Sequence, residues 1–240
     1  TFETGTELWV SDGTAAGTEL VADLADGIFG SNPQNLTAVG NNVFFTLEEN
    51  GLAQLWRSDG TPTGTRRADL LADGNDPQFG LISALTAFGN RLFFVGATEL
   101  EVRVFGTVDN GDGTYGIESL SQSLENGETI PHMAAVEGLG VFVGLNSNDD
   151  EFKLQFTDGG QIIELHIFQP TTSGGQLLEH AFSFDGKLYF AAHETIGPNN
   201  HGVELWVSDG TSSGTTELAD INTGFFQASS NPRGFATVTD

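Results

Sequence analysis

The sequence predicts an all-β fold, a β-propeller of five four-stranded blades whose ring is closed between the N- and C-terminal segments. Three observations lead to this prediction. A motif of the type Glu/Gln-Leu-Trp-x-Ser-Asp-Gly-Thr occurs at 7–14, 54–61 and 204–211, each time followed two residues later by Gly-Thr. The repeat length is close to 50 residues, as in propeller blades. No stretch shows the 3.6-residue period of an amphipathic helix.

The aromatic residue of the motif marks one position in each of five units. Two units carry worn copies, in which Phe is read in the place of Trp. The anchors are Trp9, Trp56, Phe105, Phe156 and Trp206, spaced by 47, 49, 51 and 50 residues. Residues 1–240 are therefore predicted to form a single propeller domain.

Each unit contains four short strand patterns. In the second unit, a first strand at Leu36–Val39 is followed by Gly40-Asn41, a pair suited to the positive φ of a tight hairpin. The second strand, Val43–Phe45, is apolar on both faces, which is typical of a sheet packed between neighbouring sheets. The third strand carries Leu-Trp. The fourth is more polar, as in Glu19–Ala22 of the first unit.

Closure of the ring is predicted by counting residues. The chain begins with a third and a fourth strand and ends with a first strand at Phe235–Val238, so the two ends are expected to share a blade. From Trp206 round to Trp9 there are 43 residues, about one strand short of a repeat. One second strand is therefore expected outside the given chain, before Thr1 or after Asp240. The alternative is a slice of an array with six or more blades.

The composition narrows the classes of partner. Acidic residues outnumber basic ones by 33 to 8, which gives a net charge of −25. Such a field repels nucleic acid and anionic lipid, and suits cations or basic partners. No apolar run approaches the length of a membrane span, so membrane insertion is not expected. The absence of cysteine fits a bacterial exoprotein better than a disulfide-linked ectodomain.

The repeated motif resembles the ELWxxDGT repeat family of large secreted or surface proteins of bacteria. The resemblance covers most of the chain; it is strong around Trp9, Trp56 and Trp206, and eroded around Phe105 and Phe156. It implies a propeller-like, extracellular, non-catalytic module, often part of a longer polypeptide. The family supplies no catalytic residues to transfer to this chain.

The acidic residues of the repeat have two interpretations. The carboxylates of the motif, and those that end the fourth strands, are candidate calcium ligands, because calcium prefers hard oxygen donors. Equally, an Asp side chain can cap backbone N–H groups in a hairpin turn, and we favour this structural role. Calcium is the only cofactor predicted. The residues concerned are Asp12, Asp59 and Asp209 in the motif, and Asp23, Asp69 and Asp220 after the fourth strands.

The three Trp residues occupy one strand position, where Phe substitutes. Exposed aromatic rings could stack on sugars, but a position shared by Trp and Phe is typical of a core. We therefore expect the Trp side chains to pack between blades.

Ligand contacts are expected on one edge of the blades. The connections from fourth to first strand and from second to third strand share this edge, here called the loop edge, and long loops often carry function. A pairing of His132 with His180 would suggest a metal site, although solvated loop residues are the simpler interpretation. The phenylalanines are expected more often to wedge between blades than to contact a ligand. The binding-face candidates are Phe29, Phe79, Phe225, Phe226, His132, His180, His193 and His201.

The sequence thus predicts a non-catalytic extracellular or cell-surface module for adhesion, interaction or structure. Its partners would be proteins, surface glycans, neighbouring domains or copies of itself. A calcium-dependent, lectin-like glycan binder is the first alternative. A glycoside-active enzyme is a weaker one, because paired carboxylates are needed across the bond and only Glu179 is acidic where the inner strands begin.

Overall fold

The computed structural model describes residues 5–25, 28–68, 70–71, 75–124, 128–147, 151–168, 178, 180–193, 202–222 and 229–236. The chain divides into two compact units, Thr1–Gln122 and Ser123–Asp240. The described strands of the first unit are β1 (Leu8–Ser11), β2 (Thr18–Ala22), β3 (Gln34–Val39), β4 (Asn42–Glu49), β5 (Leu52–Ser58), β6 (Arg66–Arg67), β7 (Leu81–Phe88), β8 (Arg91–Ala97), β9 (Val102–Asp109) and β10 (Tyr115–Ser119). Those of the second are β11 (Thr129–Val136), β12 (Gly140–Asn146), β13 (Phe152–Thr157), β14 (Ile163–Phe168), β15 (Phe182–Phe184), β16 (Lys187–His193), β17 (Val203–Ser208) and β18 (Thr216–Ala219).

The strands form five antiparallel sheets in chain order, which we call blades 1 to 5. Blade 1 consists of β1 and β2, and each of the other four is a meander of four strands. The predicted fold class, an all-β chain with the blades of a five-bladed β-propeller, is confirmed. Closure of the ring stays a prediction, as does a first strand at Phe235–Val238, of which only Phe235 and Ala236 are described. In the described part of the chain, no helix is long and apolar enough to cross a membrane.

The hairpins between first and second strands follow the turn chemistry read from the sequence. Gly40 and Gly89 have φ values of 56° and 57°, and Asp185 has 49°. These left-handed conformations match the twist of a tight hairpin, and glycine adopts them without a Cβ penalty. The second strands are buried on both faces, as shown by Phe44 and Phe45, both 0% exposed.

The core consists of apolar layers between consecutive blades of the same unit. In the first unit, Leu8 of blade 1 packs with Phe45 of blade 2. The opposite face of blade 2, including Phe44, packs with Phe94 of blade 3. In the second unit, the Phe168 ring of blade 4 lies 4.9 Å from Trp206 of blade 5, nearly perpendicular to it. The layers explain why the second strands are apolar on both faces.

The predicted core role of Trp is confirmed for Trp206, which is 5% exposed. Trp56 is half-buried against the layer between blades 1 and 2. The prediction is wrong for Trp9, which is 46% exposed. Blade 1 has two described strands, and Leu8 takes the face that packs on blade 2. Because successive strand residues point to opposite faces, Trp9 lies on the other face.

The structure also corrects the anchor of blade 4. Trp56 lies opposite Phe45, and Trp206 lies opposite Phe190. In blade 4 the residue equivalent to Trp is Gln155. The pairing of the third and fourth strands changes register between Leu154 and Gln155, just as it does between Leu205 and Trp206 in blade 5. Phe156 is one residue further along and belongs to the opposite face of the strand. The motif of this blade has therefore lost its aromatic anchor altogether.

Candidate functional site

The Ser-Asp-Gly-Thr motif closes the hairpin between third and fourth strands with its own side chains. In blade 2, the Thr61 backbone N–H and hydroxyl both donate to Oδ1 of Asp59, at 3.0 and 2.7 Å. The Gly60 N–H donates to Ser58 Oγ at 3.0 Å, and the Ser58 and Thr65 hydroxyls are hydrogen-bonded at 2.7 Å. The same contacts occur around Asp12 and Asp209. The structural role of the motif is thereby accounted for residue by residue.

The glycine of the trailing Gly-Thr has a packing reason. A Cβ added to Gly64 would collide with the Asp59 carboxylate, and Gly17 and Gly214 stand in the same relation to Asp12 and Asp209. The Gly64 N–H also donates to the Thr61 hydroxyl at 3.0 Å. The close approach of this backbone completes the turn.

The worn copies keep part of this network. In blade 4, Asp158 accepts a hydrogen bond from the Gly160 N–H at 3.2 Å, but residue 160 has no hydroxyl to add the second one. In blade 3 the longer hairpin after β9 contains Asp112, which accepts from the Thr114 N–H and hydroxyl at 2.8 and 2.5 Å. Blade 3 therefore has a displaced Asp-Gly-Thr turn, which the sequence analysis did not identify.

These contacts predict a pH-dependent contribution to stability. The Thr61 hydroxyl and N–H hold the pKa of Asp59 below its usual range. A carboxyl group whose pKa is lowered by folding stabilises above its unfolded value, near 3.8, and loses this contribution as pH falls through the folded value. We expect Asp59→Asn to lower Tm by a few degrees near neutral pH, with the difference shrinking below about pH 4. Thermal unfolding of both proteins between about pH 2 and 7 measures this.

Thr61→Ser retains the hydroxyl donor and serves as the control, which should keep the wild-type pH dependence. Thr61→Val should lose part of it. A constant Tm difference between Asp59→Asn and the wild type at all pH values would contradict the assignment.

The glutamate that opens the motif anchors the connection to the next first strand. Glu204 is 1% exposed; its two carboxylate oxygens accept from the Ile221 N–H at 3.0 Å and the Ser230 N–H at 3.1 Å. Glu7 is 6% exposed and accepts from the backbone N–H groups of Leu24 and Ser31 and from the Ser31 hydroxyl. Each carboxylate thus accepts hydrogen bonds from backbone N–H groups that lie outside the sheet ladders.

The predicted calcium ligands have diverse positions. Oδ1 of Asp12, Asp59 and Asp209 is engaged by threonine, as described above. Asp23 is exposed and Asp220 half-buried, each just after a fourth strand, and Asp69 lies outside the described residues. Across the described part of the chain, no group of three or more His, Asp or Glu side chains is arranged to hold a metal ion. Calcium binding stays a prediction.

The binding-face candidates also separate. Phe29, on the loop edge, is 89% exposed, whereas Phe79 is 1% exposed and packs on Phe105 at 5.1 Å. Phe79 is therefore a wedge and not a contact residue. His193 is wrong as a loop candidate, because it ends β16 opposite Val203 and is 8% exposed.

The two remaining described histidines differ in setting. His132 is half-buried within β11, and His180 is exposed in a turn before β15. Contact between them stays a prediction. Three candidates lie outside the described residues: Phe225, Phe226 and His201.

A cleft of about 580 Å³ lies on the loop edge of blade 3. One wall is the connection from blade 2, and the other is the turn between β8 and β9. Phe105 lines the interior. The lining residues are Leu71, Pro77, Gln78, Thr98, Glu99, Leu100, Glu101, Arg103, Phe105 and Ser119. This position agrees with the edge on which the topology predicted ligand contacts.

The walls of the cleft are fixed by short-range contacts. The Thr98 hydroxyl accepts from the N–H groups of Leu100 and Glu101, both at 3.2 Å. This turn presents Leu100 with 95% of its surface exposed. On the other wall, Asp76 pairs with Arg67 at 2.8 Å and accepts from the Gln78 N–H at 3.1 Å. The pairing with Arg67 lowers the pKa of Asp76, so this wall is held by an ionised carboxylate at neutral pH.

Arg103 gives the cleft its charged side. Its guanidinium bonds to Glu101 at 2.6 Å and to Ser119 Oγ and Ser121 O, both at 3.4 Å. Its Nε is buried and has no acceptor among the described residues. Arg103 precedes the Val104-Phe105 pair as Glu7 and Glu204 precede Leu-Trp. Blade 3 is thus one of the blades in which the glutamate that opens the motif is replaced, as it also is by Gln54 in blade 2 and by Lys153 in blade 4. The sequence analysis missed this variation.

Comparison with known proteins gives similarity of fold only. No model of a protein family matches this chain, and no curated protein matches it. Among solved structures, TolB from Acinetobacter baumannii is similar with a TM-score of 0.44 and 15% identity, over 84% of this chain and 46% of that one. An exo-β-1,3-galactanase from Phanerochaete chrysosporium, with β-1,3-galactotriose, gives 0.40 and 13%, over 90% and 53%. The tricorn protease gives 0.31 and 14%, over 90% and 19%.

This chain thus spans about half the length of the first two proteins and a fifth of the third. At these identities nothing about activity follows for this chain. The resemblance to the ELWxxDGT repeats stays a prediction.

Proposed function

We propose that this chain is a non-catalytic interaction module of an extracellular or surface-attached bacterial protein, and that it contacts its ligand at the blade 3 cleft. The observation that carries the proposal is the exposure of Leu100 at the rim of a cleft that the repeat does not dictate. The repeated Ser, Asp and Thr side chains are engaged in hairpins at the opposite edge of the blades. What differs from blade to blade is the loop edge, where a specific ligand would be distinguished.

The chemistry of the cleft supports binding without catalysis. Glu101 is ion-paired with Arg103. A paired carboxylate of this kind orients a ligand or holds a wall of the cleft in place, whereas a general acid or base needs a free carboxyl group. Glycoside hydrolysis would require two carboxylates flanking a bond. The described inner strands β3, β7, β11 and β15 begin with Gln34, Leu81, Thr129 and Phe182. Glu179, the acidic candidate, lies outside the described residues.

Exposed apolar side chains favour a protein ligand. Besides Leu100, the loop edge of the first unit carries Ile28 and Phe29, which are 67% and 89% exposed. Apolar side chains at loop tips contribute to protein interfaces when a partner removes them from water. With a net charge of −25, a neutral or basic partner is favoured over an acidic one.

We expect Leu100→Glu to weaken ligand binding by about tenfold or more, because it removes apolar contact and adds charge at the rim. Labelled protein is applied to arrays of extracellular-matrix proteins and glycans, and the dissociation constant is measured for each bound component. Leu218→Glu is the matched control, since Leu218 is 52% exposed on the outer strand β18. Equal affinity of the Leu100→Glu and Leu218→Glu variants would contradict a role for the cleft. Turnover of a bound glycan would contradict the non-catalytic assignment.

The exposed ring of Phe29 favours one alternative, a lectin-like module. An aromatic face in water can stack on the C–H face of a sugar. On the same arrays, Phe29→Ala would then abolish glycan binding while Leu100→Glu would not. Repeating the array with EDTA tests the calcium dependence predicted from the sequence.

A further inference from the structure

Strand β1 of blade 1 has one edge that is open within the part of the chain that the structure describes. It pairs with β2 on one side, and no described residue pairs with its other side. The equivalent third strands of the other blades are β5, β9, β13 and β17, and each is flanked on both sides by strands of its own sheet. An unpaired strand edge is a row of N–H and C=O groups ready to pair with another segment.

The side chains of β1 show what the edge lacks. Trp9 and Val10 are 46% and 43% exposed, whereas Phe105 and Trp206, at the position equivalent to Trp9, are 4% and 5% exposed. Phe105 lies opposite Phe94, an aromatic residue of its second strand, and the two rings stack at 5.5 Å. A cross-strand aromatic neighbour of this kind covers one side of the anchor ring. Trp9 has no such neighbour among the described residues.

We propose that the open edge of β1 is a strand-acceptor site for an extended apolar segment of the type Val43-Phe44-Phe45-Thr46. The other blades define its register. In blade 2, Val43 lies opposite Ser58, Phe44 opposite Arg57, Phe45 opposite Trp56 and Thr46 opposite Leu55. The incoming segment runs antiparallel to β1 and places its four residues opposite Ser11, Val10, Trp9 and Leu8 in that order.

The second strands of the other blades indicate which residue types fit beside β1. The second strands of blades 2 to 5 begin as Val43-Phe44-Phe45, Leu92-Phe93-Phe94, Val141-Phe142-Val143 and Leu188-Tyr189-Phe190. All four have an aliphatic residue and then an aromatic one, and a second aromatic residue follows in the three blades whose facing anchor is aromatic, as Trp9 is. The segment that fits beside β1 is therefore aliphatic-aromatic-aromatic, with main-chain pairing for affinity and the two rings for specificity.

A second copy of this chain is disfavoured as the occupant. Two β1 edges pairing together would match Leu-Trp-Val-Ser with itself, which lacks the adjacent aromatic residues found in the other blades. It would also bring together two molecules that each carry a net charge of −25. The proposal concerns an edge of blade 1 and is independent of the cleft in blade 3.

The test uses the full chain and a synthetic peptide with the sequence of residues 41–49, capped at both ends and labelled for fluorescence anisotropy. We expect saturable binding to the wild type. Trp9→Ala should weaken it by about tenfold or more, because the ring is the main contact. Trp9→Phe should bind within a few fold of the wild type, because Phe105 fills this position in blade 3. Phe29→Ala, which removes an exposed ring elsewhere, should bind as the wild type does.

A second readout reports on Trp9 directly. In Trp56→Phe/Trp206→Phe protein, Trp9 is the sole indole, and peptide binding should shift its emission to the blue and protect it from acrylamide. A peptide in which serine replaces both aromatic residues should do neither.

Several results would overturn the proposal. Equal binding of the aromatic and serine peptides, or no saturable binding, would remove the strand-acceptor site. A dimer in which Trp9 is protected would assign the edge to a second copy. Protection of Trp9 in the free monomer would show that another part of the same chain already fills it.

Discussion

Replacing Phe94 by Ala is expected to lower the free energy of unfolding by about 3–5 kcal/mol. The side chain is 0% exposed and its ring lies 5.5 Å from Phe105 and 5.9 Å from Phe79. Removing it would leave a cavity in the layer between blades 2 and 3, in addition to the lost transfer free energy. The measurement is chemical denaturation, followed by Trp fluorescence, at pH 7.

Phe29→Ala is the control for Phe94→Ala. Phe29 is 89% exposed, so its removal should change the free energy of unfolding by less than about 0.5 kcal/mol. The same variant is used in the binding experiments, so its stability also shows that any loss of binding is local. Comparable destabilisation by the two substitutions would show that the aromatic layer is not a principal source of stability.

The second large effect on the free energy of unfolding is expected at Glu204, whose carboxylate accepts hydrogen bonds from the N–H groups of Ile221 and Ser230. Glu204→Ala should cost about 2–4 kcal/mol, because it removes two hydrogen bonds to a charged acceptor and leaves the Ile221 N–H without its partner, whereas the Ser230 N–H keeps the Val203 carbonyl at 3.0 Å. Glu204→Gln should cost less but remain destabilising, by about 1–3 kcal/mol, because its amide NH₂ would face one of the two donors. Thermal and chemical unfolding measure both.

Glu164→Ala is the matched control, since Glu164 is exposed on β14 of the same unit. It removes the same charge and should leave the free energy of unfolding almost unchanged. If Glu164→Ala and Glu204→Ala were equally destabilising, the effect would be one of net charge, and the proposed clamp would be wrong.

The fold was largely predictable because similar strand and turn patterns recur along the chain. The hairpins of the motif depend on contacts within eight residues, such as Asp59 with Thr61, and a local rule can be read from local sequence. The double-sided second strands were evident from runs such as Val43-Phe44-Phe45. Burial on both faces follows from such runs wherever a sheet lies between two others.

Other features depend on register and on distant packing. In blade 4 the anchor position is Gln155. The sequence suggested the neighbouring Phe156 instead, because Phe156 is aromatic. His193 is buried because β16 extends to this residue, whereas the sequence analysis placed it among the exposed binding-face candidates. The cleft was missed for a different reason. The position of Arg103 was evident from the anchor Phe105, but the role of Glu7 and Glu204 at that position became clear only from their hydrogen bonds to the following connection.

The hydroxyl pair formed by Ser58 and Thr65 has a consequence for how the repeat can diverge. It closes a network that begins and ends within one hairpin, so each copy of the motif is a self-contained element. Effects at separated sites of this kind are generally independent. Blade 4 can therefore lack a threonine at position 160, and blade 3 can move its Asp-Gly-Thr turn along a longer hairpin, while both keep four-stranded sheets. Wear in one copy does not spread to the others, which leaves individual blades free to acquire features of their own.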